Sequence, residues 1–216
     1  MPGQASPRRR ASEPAARLTR DDWLDAGFRA VVEGGFDQVR VLTLAKALGV
    51  TRGSFYWHFG EQADLVQALV RRWQERQQAA DRAFRAQQGQ DPRADIERLL
   101  DTALAHAGTD LEHMRFELAL RGLGRRDRAV GRALREVDGM RLALFSHAFG
   151  RLTDQPQVAA DLAALFYLAV VGSHQALARP GNPAGLKDHL RRLISQYLVQ
   201  PHGPARPARS ARRVGR

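Results

Sequence analysis

The sequence predicts an all-α protein, and three observations carry that prediction. Apolar residues recur at intervals of three and four over most of residues 18–200, which is the spacing of one helix face. Alternation of apolar and polar residues, the strand pattern, never lasts more than a few residues. Glycine and proline clusters divide the region into segments of helical length. The 216 residues, 44% of them hydrophobic, suffice for one large domain or two small ones.

Four regions are expected along the chain. Residues 18–80 are predicted to form a three-helix head with a connecting fourth helix, and residues 81–200 a body of five longer helices. Residues 1–17 and 201–216 are rich in Pro, Ala, Ser and Arg and lack apolar periodicity. A disordered basic arm and a disordered basic tail are therefore expected at the two ends.

The predicted helix boundaries follow from capping and turn residues. The first helix begins at Thr19, whose hydroxyl can cap it while Asp22 reaches back in a capping box, and it ends at Gly34-Gly35. The second helix is short and stops at Gly49-Val50. The remaining helices are expected near residues 51–59, 61–77, 92–107, 110–123, 127–151, 156–178 and 183–199.

The net charge of +11 is concentrated at the two ends of the chain. Residues 1–20 carry five Arg and one Glu, and residues 201–216 carry five Arg and no acidic residue. Residues 21–80, in contrast, carry seven basic and eight acidic groups, so the head is nearly neutral. The total charge is therefore weak evidence for nucleic-acid binding, and the placement of individual residues must carry that interpretation.

The absence of cysteine excludes disulfides, thiolate metal sites and cysteine nucleophiles, and a reducing cytoplasm is the expected location. The most apolar stretch, Leu162–Gly172, is too short for a membrane span, so no membrane contact is expected. The histidines show no metal-ligand spacing, and Ser146, His147 and Ser173 lack a nucleophile elbow. No catalytic residue, metal or cofactor is expected.

Residues Leu42–Phe59 have the pattern of a helix-turn-helix, in which two short helices are joined by a glycine-containing turn and the second enters the DNA major groove. Six apolar residues can lock the two helices together: Leu44, Ala45, Leu48, Val50, Phe55 and Phe59. Six others are left for the outward face and the N-terminal turn: Thr51, Arg52, Gly53, Ser54, Tyr56 and His58. Arg52 can donate two hydrogen bonds to guanine, and the hydroxyl and imidazole groups can donate to phosphate. Thr51 is also expected to cap the helix.

This segment, ending Gly-Ser-Phe-Tyr-Trp-His-Phe, resembles the most recognisable block of the tetracycline-repressor (TetR) family of bacterial regulators, and Gly34-Gly35-Phe36 resembles the family's link between its first two helices. The resemblance covers about residues 19–73. It implies that Arg52, Gly53 and Ser54 lie at the base-reading end and that Tyr56 and His58 contact phosphate. The body resembles the family only in the number and layout of its helices.

Two departures from the family pattern alter the expected phosphate contacts. Arg40 stands where a capping Ser or Thr is common, and Gly60-Glu61-Gln62 replaces a segment that often carries a Lys. We therefore expect Arg40, Lys46, Arg52 and the Arg8–Arg20 arm to supply phosphate attraction. Trp57 is either a DNA contact or a shield at the edge of the head. The alternative for the whole segment is a structural corner with partly packed aromatic residues.

The predicted helix 156–178 is apolar around much of its circumference, and the next one carries the stripe Leu186, Leu190, Leu193, Ile194 and Tyr197. The resemblance implies that these two helices pair with those of a second copy in a homodimer, which would bind a palindromic operator in double-stranded DNA. The alternative is that the first of them forms the centre of a monomer core. The resemblance also implies a small-molecule inducer pocket in the body. Its candidate lining is Met114, Phe116, Leu120, Met140, Phe145, Phe149, Phe166 and His174, for which core packing is the alternative.

The sequence thus predicts a homodimeric, cytoplasmic, ligand-responsive transcriptional regulator, most often a repressor in proteins of this kind. Two other classes stay open: an interaction module or regulator without a small ligand, and a helical enzyme that carries the head as an addition.

Overall fold

The computed structural model describes residues 18–109 and 111–177, with the isolated residues 188, 189 and 192. Side chains are not described for residues 103–109, 173, 174, 176 and 177. The arm 1–17, the tail 201–216 and most of the predicted helix 183–199 therefore lie outside the described residues. The same holds for the side chain of His174 and for all five stripe residues, Leu186, Leu190, Leu193, Ile194 and Tyr197.

Eight α-helices and one 3-10 turn make up the described part of the chain, which contains no strand, so the all-α prediction is confirmed. The elements of the first half are α1 (Arg20–Gly34), a 3-10 turn (Phe36–Gln38), α2 (Val41–Ala47), α3 (Arg52–Phe55) and α4 (Gln62–Ala86). Those of the second half are α5 (Pro92–Thr109), α6 (Leu111–Gly124), α7 (Arg128–Gly150) and α8 (Pro156–Leu177).

The chain divides into two compact units within α4, between Trp73 and Gln74. We call the first unit the head and the second the body. The sequence-based boundary at residues 80/81 also falls within α4, whose bounds Gln62–Ala86 extend well beyond the expected end near residue 77. No glycine or proline interrupts residues 62–86, which explains why the helix continues past that point.

The ends of α1 agree with the prediction. The Thr19 amide donates to Asp22 Oδ2 at 2.7 Å and the Asp22 amide donates to Thr19 Oγ1 at 3.3 Å, which completes the capping box. The hydrogen bonds that the Thr19 amide and the Thr19 hydroxyl donate to the Asp22 carboxylate hold the pKa of Asp22 below its ordinary value. At the other end Gly35 adopts a φ of 81° and its amide donates to the Val31 carbonyl at 2.8 Å.

The head core is built around aromatic rings. Phe55 is completely buried, packs edge to face against Trp23 at 5.2 Å and stacks on Phe59 at 5.3 Å between ring centroids. The burial predicted for Phe55 and Phe59 is confirmed, whereas the central position of Trp23 was not predicted. Gly27 lets α1 approach α4 closely, because a Cβ there would lie 3.1 Å from Leu69 Cδ1.

The body core joins α5, α7 and α8. Phe166 contacts Phe145 at 4.8 Å and Phe149 at 5.9 Å, both edge to face. The cluster consists of Ile96, Leu99, Leu100, Leu144, Phe145, Ala148, Phe149, Ala159, Ala163, Phe166 and Val170. Along α8 the buried residues alternate with exposed Val158, Leu165 and Leu168, so this helix has an apolar core face and a second apolar face in solvent. None of the helices in the described ranges is long and apolar enough to span a membrane.

A buried ion network ties three body helices together around Glu117. Arg141 donates to both oxygens of Glu117, at 2.8 and 2.7 Å, and Arg121 donates to Glu117 Oε1 at 2.8 Å. Arg121 also makes two hydrogen bonds to Asp138, at 2.8 and 3.1 Å, and Arg141 donates to Gln77 Oε1 at 2.8 Å. Burial alone would lower the pKa of Arg121, but its carboxylate partners outweigh burial and raise it.

A second buried carboxylate, Asp95, connects the start of α5 with the end of α7. Its side chain accepts hydrogen bonds from Arg98, from Arg151 and from the Gly89 amide at 3.0 Å, and Arg151 also donates to the Gly89 carbonyl at 2.6 Å. Burial raises the pKa of Asp95, but these hydrogen bonds and the charge of Arg98 outweigh that effect and lower it. Neither network was predicted from the sequence.

Candidate nucleic-acid interface

The turn between α2 and α3 has the geometry that a helix-turn-helix requires. Gly49 adopts a φ of 68°, a left-handed conformation that a side chain disfavours. The amide of Val50 then donates to the Ala45 carbonyl at 3.0 Å, which closes the turn onto α2. Leu44, Ala45 and Phe55 are buried, as predicted, and hold the two helices together.

The recognition segment differs from the predicted helix 51–59. Regular α-helix covers only Arg52–Phe55, and residues 56–58 form a tight turn. The amide of Tyr56 donates to Gly53 and that of His58 to Phe55, at 3.3 and 2.9 Å, so both bonds span three residues instead of four. Gly53, a poor helix former, and the anchoring of Phe55 and Phe59 on one side favour this tighter winding.

Thr51 occupies the N-cap position of α3 in an extended conformation, but its side chain makes no capping hydrogen bond. The prediction that its hydroxyl caps the helix is therefore wrong. The first turn is closed instead by the backbone, because the Ser54 amide donates to the Thr51 carbonyl at 3.0 Å. The side chain of Thr51 is exposed.

The outward side of the segment combines a cation with exposed aromatic rings. The Arg52 guanidinium lies 5.8 Å from the centroid of the Tyr56 ring, and that ring packs edge to face on buried Phe55 at 5.4 Å. Tyr56 is 50% exposed and Trp57 is 78% exposed, so neither is a packed core residue. Gly53 is exposed too, whereas Ser54 and His58 are half-buried.

A concave surface, which we call the head cleft, lies beside α2 and α3. It is lined by Phe36, Asp37, Arg40, Val41, Leu42, Thr43, Arg52, Tyr56 and Gln62. Among the predicted DNA-binding residues, Arg40, Arg52 and Tyr56 line this cleft together, while Lys46 and Trp57 are exposed outside its lining. Leu42, Thr43 and Gln62 were not predicted, although the spacing from buried Leu44 and Ala45 already places Leu42 on the opposite side of α2.

The two departures from the family pattern lie at the starts of α2 and α4. Arg40 is the N-cap of α2 without a side-chain cap, and its Nε donates to the Asp37 carbonyl at 3.0 Å, which fixes the stem of an exposed side chain. Asp64 accepts a hydrogen bond from the Glu61 amide at 3.0 Å and so caps α4. A Cβ at residue 60 would lie 3.0 Å from Asp64 Oδ2, so a larger residue there would require the Asp64 side chain to shift slightly.

The predicted inducer-pocket residues belong to the body. Phe145, Phe149 and Phe166 belong to the body core, and Met114, Phe116 and Leu120 are buried on α6. Met140 on α7 is half-buried. Their burial does not test whether they line a ligand pocket, so the inducer pocket stays a prediction.

Comparison with known proteins supports the assignment of the head. Residues 24–69 match the family model for bacterial regulatory proteins of the tetR family. The regulator TtgR of Pseudomonas putida is 34% identical over 91 residues, and the match covers 42% of this chain and 43% of that protein. The chain thus matches less than half the length of this relative.

Solved structures extend the likeness to the fold of the body. A TetR transcription regulator from Haloarcula marismortui superposes with a TM-score of 0.69 at 16% identity, covering 82% of this chain and 95% of that one. A Saccharomonospora viridis protein solved in complex with choline gives 0.70 at 18% identity, with 83% and 94% coverage. With the helix-turn-helix at Leu42–Phe59 and the match over residues 24–69, the head of this chain is similar to the tetR family of bacterial regulatory proteins.

Proposed function

We propose that this protein is a sequence-specific, DNA-binding transcriptional regulator that places α3 and the turn after it in the major groove. The observation that carries the proposal is the arrangement of Arg52 and Tyr56 on buried Phe55. The Tyr56 ring, which packs on Phe55, restricts the motion of the exposed Arg52 side chain. A guanidinium held in this way loses less conformational entropy when it forms two hydrogen bonds to a guanine.

The other exposed groups suit contacts that orient the head on the DNA backbone. Arg40 and Lys46 on α2 offer positive charge, while Tyr56 and His58 offer hydroxyl and imidazole donors to phosphate. Gly53 allows the backbone to approach the DNA closely, and the hydroxyls of Thr51 and Ser54 can donate to bases or phosphate. Trp57 is exposed enough to contact the sugar-phosphate backbone beside the recognition segment.

The proposal includes a homodimer, supported by the exposed face of α8. Val158, Leu165 and Leu168 are large apolar residues on one side of a helix whose other side forms the body core. An apolar stripe in solvent is a feature of association surfaces. A symmetric pair of such faces would present two heads to a palindromic operator with half-sites about one helical turn or more apart.

The proposal also includes repression that a small molecule relieves in the cytoplasm. The inducer would bind in the body near the residues of the predicted pocket and favour a conformer whose heads no longer fit the operator. Its effect cannot exceed the difference between its affinities for the two conformers. Choline, which is present in the Saccharomonospora viridis structure, is a reasonable first compound to test.

DNA binding is tested by selecting fragments from a random library with the purified protein. We expect an enriched inverted repeat, and we expect Arg52→Ala to lose about 1–3 kcal/mol of binding free energy and to relax one base preference. Arg29→Ala, which removes an exposed arginine of α1 outside the head cleft, is the matched control and should bind as the wild type does. Selection that enriches no sequence would contradict the proposal.

The dimer is tested by Leu165→Asp combined with Leu168→Asp, which should give monomers in light scattering because two charges would be buried at the interface. Ala160→Asp adds a charge at another exposed position of α8 and should leave the dimer intact. An unchanged dimer in the double variant would refute the interface.

Ligand response is tested by thermal unfolding in the presence of a compound library that contains choline. An inducer should raise the melting temperature and weaken binding to the selected DNA. A compound that stabilises the protein without changing its DNA affinity is not an inducer. A reporter gene behind the operator should be more active when the regulator is absent, and lower activity would identify an activator.

A further inference from the structure

Leu42 is the most unusual residue of the head cleft. It lies in the first turn of α2 and is 66% exposed, although its neighbours Leu44 and Ala45 on the other side of the helix are buried. It contributes little to the head core. An exposed leucine by itself is ordinary on a protein surface, so its position must decide whether it has a function.

The exposed large apolar residues of the described chain fall in two places. Three of the six are on α8, at the proposed dimer face, and the other three are Leu42, Tyr56 and Trp57 in the helix-turn-helix. Tyr56 and Trp57 each carry a polar atom that can bind phosphate or water. Leu42 has only methyl and methylene groups, so its contribution to a complex must come from an apolar contact.

The surroundings of Leu42 indicate which apolar group it contacts. It lines the head cleft with Val41 and Thr43 on its own helix, and with Arg52 and Tyr56 from the recognition segment. Arg52 is the residue proposed to bind guanine in the major groove. The 5-methyl of thymine is the apolar group that standard bases present in that groove, and aliphatic side chains contact it.

We propose that Leu42 reads the 5-methyl group of a thymine close to the base pair that Arg52 contacts. The inference rests on the proposed DNA-binding function and deepens it. Sequence preference then comes from both helices of the motif: a hydrogen-bonding contact from α3 and an apolar one from the first turn of α2. A phosphate contact is excluded for Leu42, because its side chain has no hydrogen-bond donor.

The test replaces each thymine of one half-site of the selected DNA by deoxyuridine, which lacks only the methyl group. The wild-type protein should lose about fourfold in affinity at one thymine, the value of one buried methyl-sized group. Leu42→Ala should show a similar loss on unmodified DNA and no further loss with deoxyuridine at that position. Arg52→Ala is the control that weakens binding but keeps the deoxyuridine effect.

The outcomes separate this inference from the function on which it rests. If selection yields no preferred sequence, the DNA-binding proposal fails. If a preferred sequence exists and deoxyuridine weakens the wild type and Leu42→Ala equally, Leu42 does not contact the methyl group and the inference is overturned. Leu42→Ala should keep the wild-type melting temperature, because its side chain is mostly exposed in the free protein. A general loss of affinity in a properly folded variant, independent of deoxyuridine, would likewise overturn the inference.

Discussion

The head and the body use charged residues in opposite ways. Both buried carboxylates of the described chain, Asp95 and Glu117, lie in the body, where arginines hold them. The head core is formed by apolar and aromatic residues, and its arginines are exposed. The difference shows that an abundance of arginine does not define an interface. Arg141 is held by Glu117 and Gln77, whereas within the described residues Arg52 rests against the Tyr56 ring and is available for a partner.

The largest expected effect comes from breaking the body network. Glu117→Ala removes the carboxylate shared by Arg121 and Arg141 and leaves part of their charge unpaired below the surface. We expect the free energy of unfolding to fall by about 3–5 kcal/mol, as measured by urea denaturation.

The matched control is an ion pair of the head. Arg72 donates to Asp25 at 2.6 Å, but both side chains are about half exposed, at 49% and 55%. Asp25→Asn should therefore cost at most about 1 kcal/mol. Equal losses of unfolding free energy in Glu117→Ala and Asp25→Asn would show that the body network is as well solvated as the surface pair.

Substitutions at two glycines of the head should change different properties. Gly49→Ala should lower the stability of the head, and Gly53→Ala should weaken DNA binding. Gly49→Ala forces a side chain into the left-handed region at φ 68° and should cost about 1–2 kcal/mol of unfolding free energy. Gly53→Ala should not destabilise the head, because a Cβ there meets only Thr51 Oγ1, at 3.7 Å. It should instead weaken binding to the selected DNA by blocking close approach. Wild-type affinity in Gly53→Ala would argue against α3 lying in the groove.

The smallest predicted effect is a pH dependence that comes from the body. The pKa of Asp95 is lower in the folded protein than in the unfolded chain, so its ionised form stabilises the fold above the unfolded pKa of about 4. That contribution is lost as the pH falls through the folded value. Asp95→Asn should be less stable than the wild type at pH 7, and the difference should narrow in acid. A difference that stays constant between pH 7 and pH 3 would contradict the assignment.

The features of the head that the sequence predicted correctly are those fixed by local signals. The capping box at Thr19 and Asp22, the glycine turn and the burial of Phe55 each depend on residues a few positions apart. The exceptions are also local: the hydroxyl of Thr51 does not cap, and α3 tightens after Phe55. Both depend on the balance between hydrogen-bond geometries, which residue type alone does not determine.

The body network could not be predicted because its members are far apart in the sequence. Arg141 bonds to residues 24 and 64 positions away, and helical periodicity identifies a buried face without naming its partner across the core. A charged residue such as Glu117 is usually assigned to the surface, so the sequence gives no sign of its burial. Leu42 escaped notice for the converse reason, since an apolar residue in a helix is usually assigned to the core. The DNA and inducer contacts of individual residues stay predictions.

The central claim is that the surface of the head around Arg52 selects a DNA sequence. A comparison of two DNA fragments tests this claim most directly. The affinity of the purified protein for its selected fragment is measured against a scrambled fragment of equal length and composition, at one fixed salt concentration. The wild type should prefer the selected fragment by about a thousandfold or more, and Arg52→Ala should narrow that preference by about tenfold without changing the melting temperature. Equal affinity of the wild type for both fragments would contradict the account.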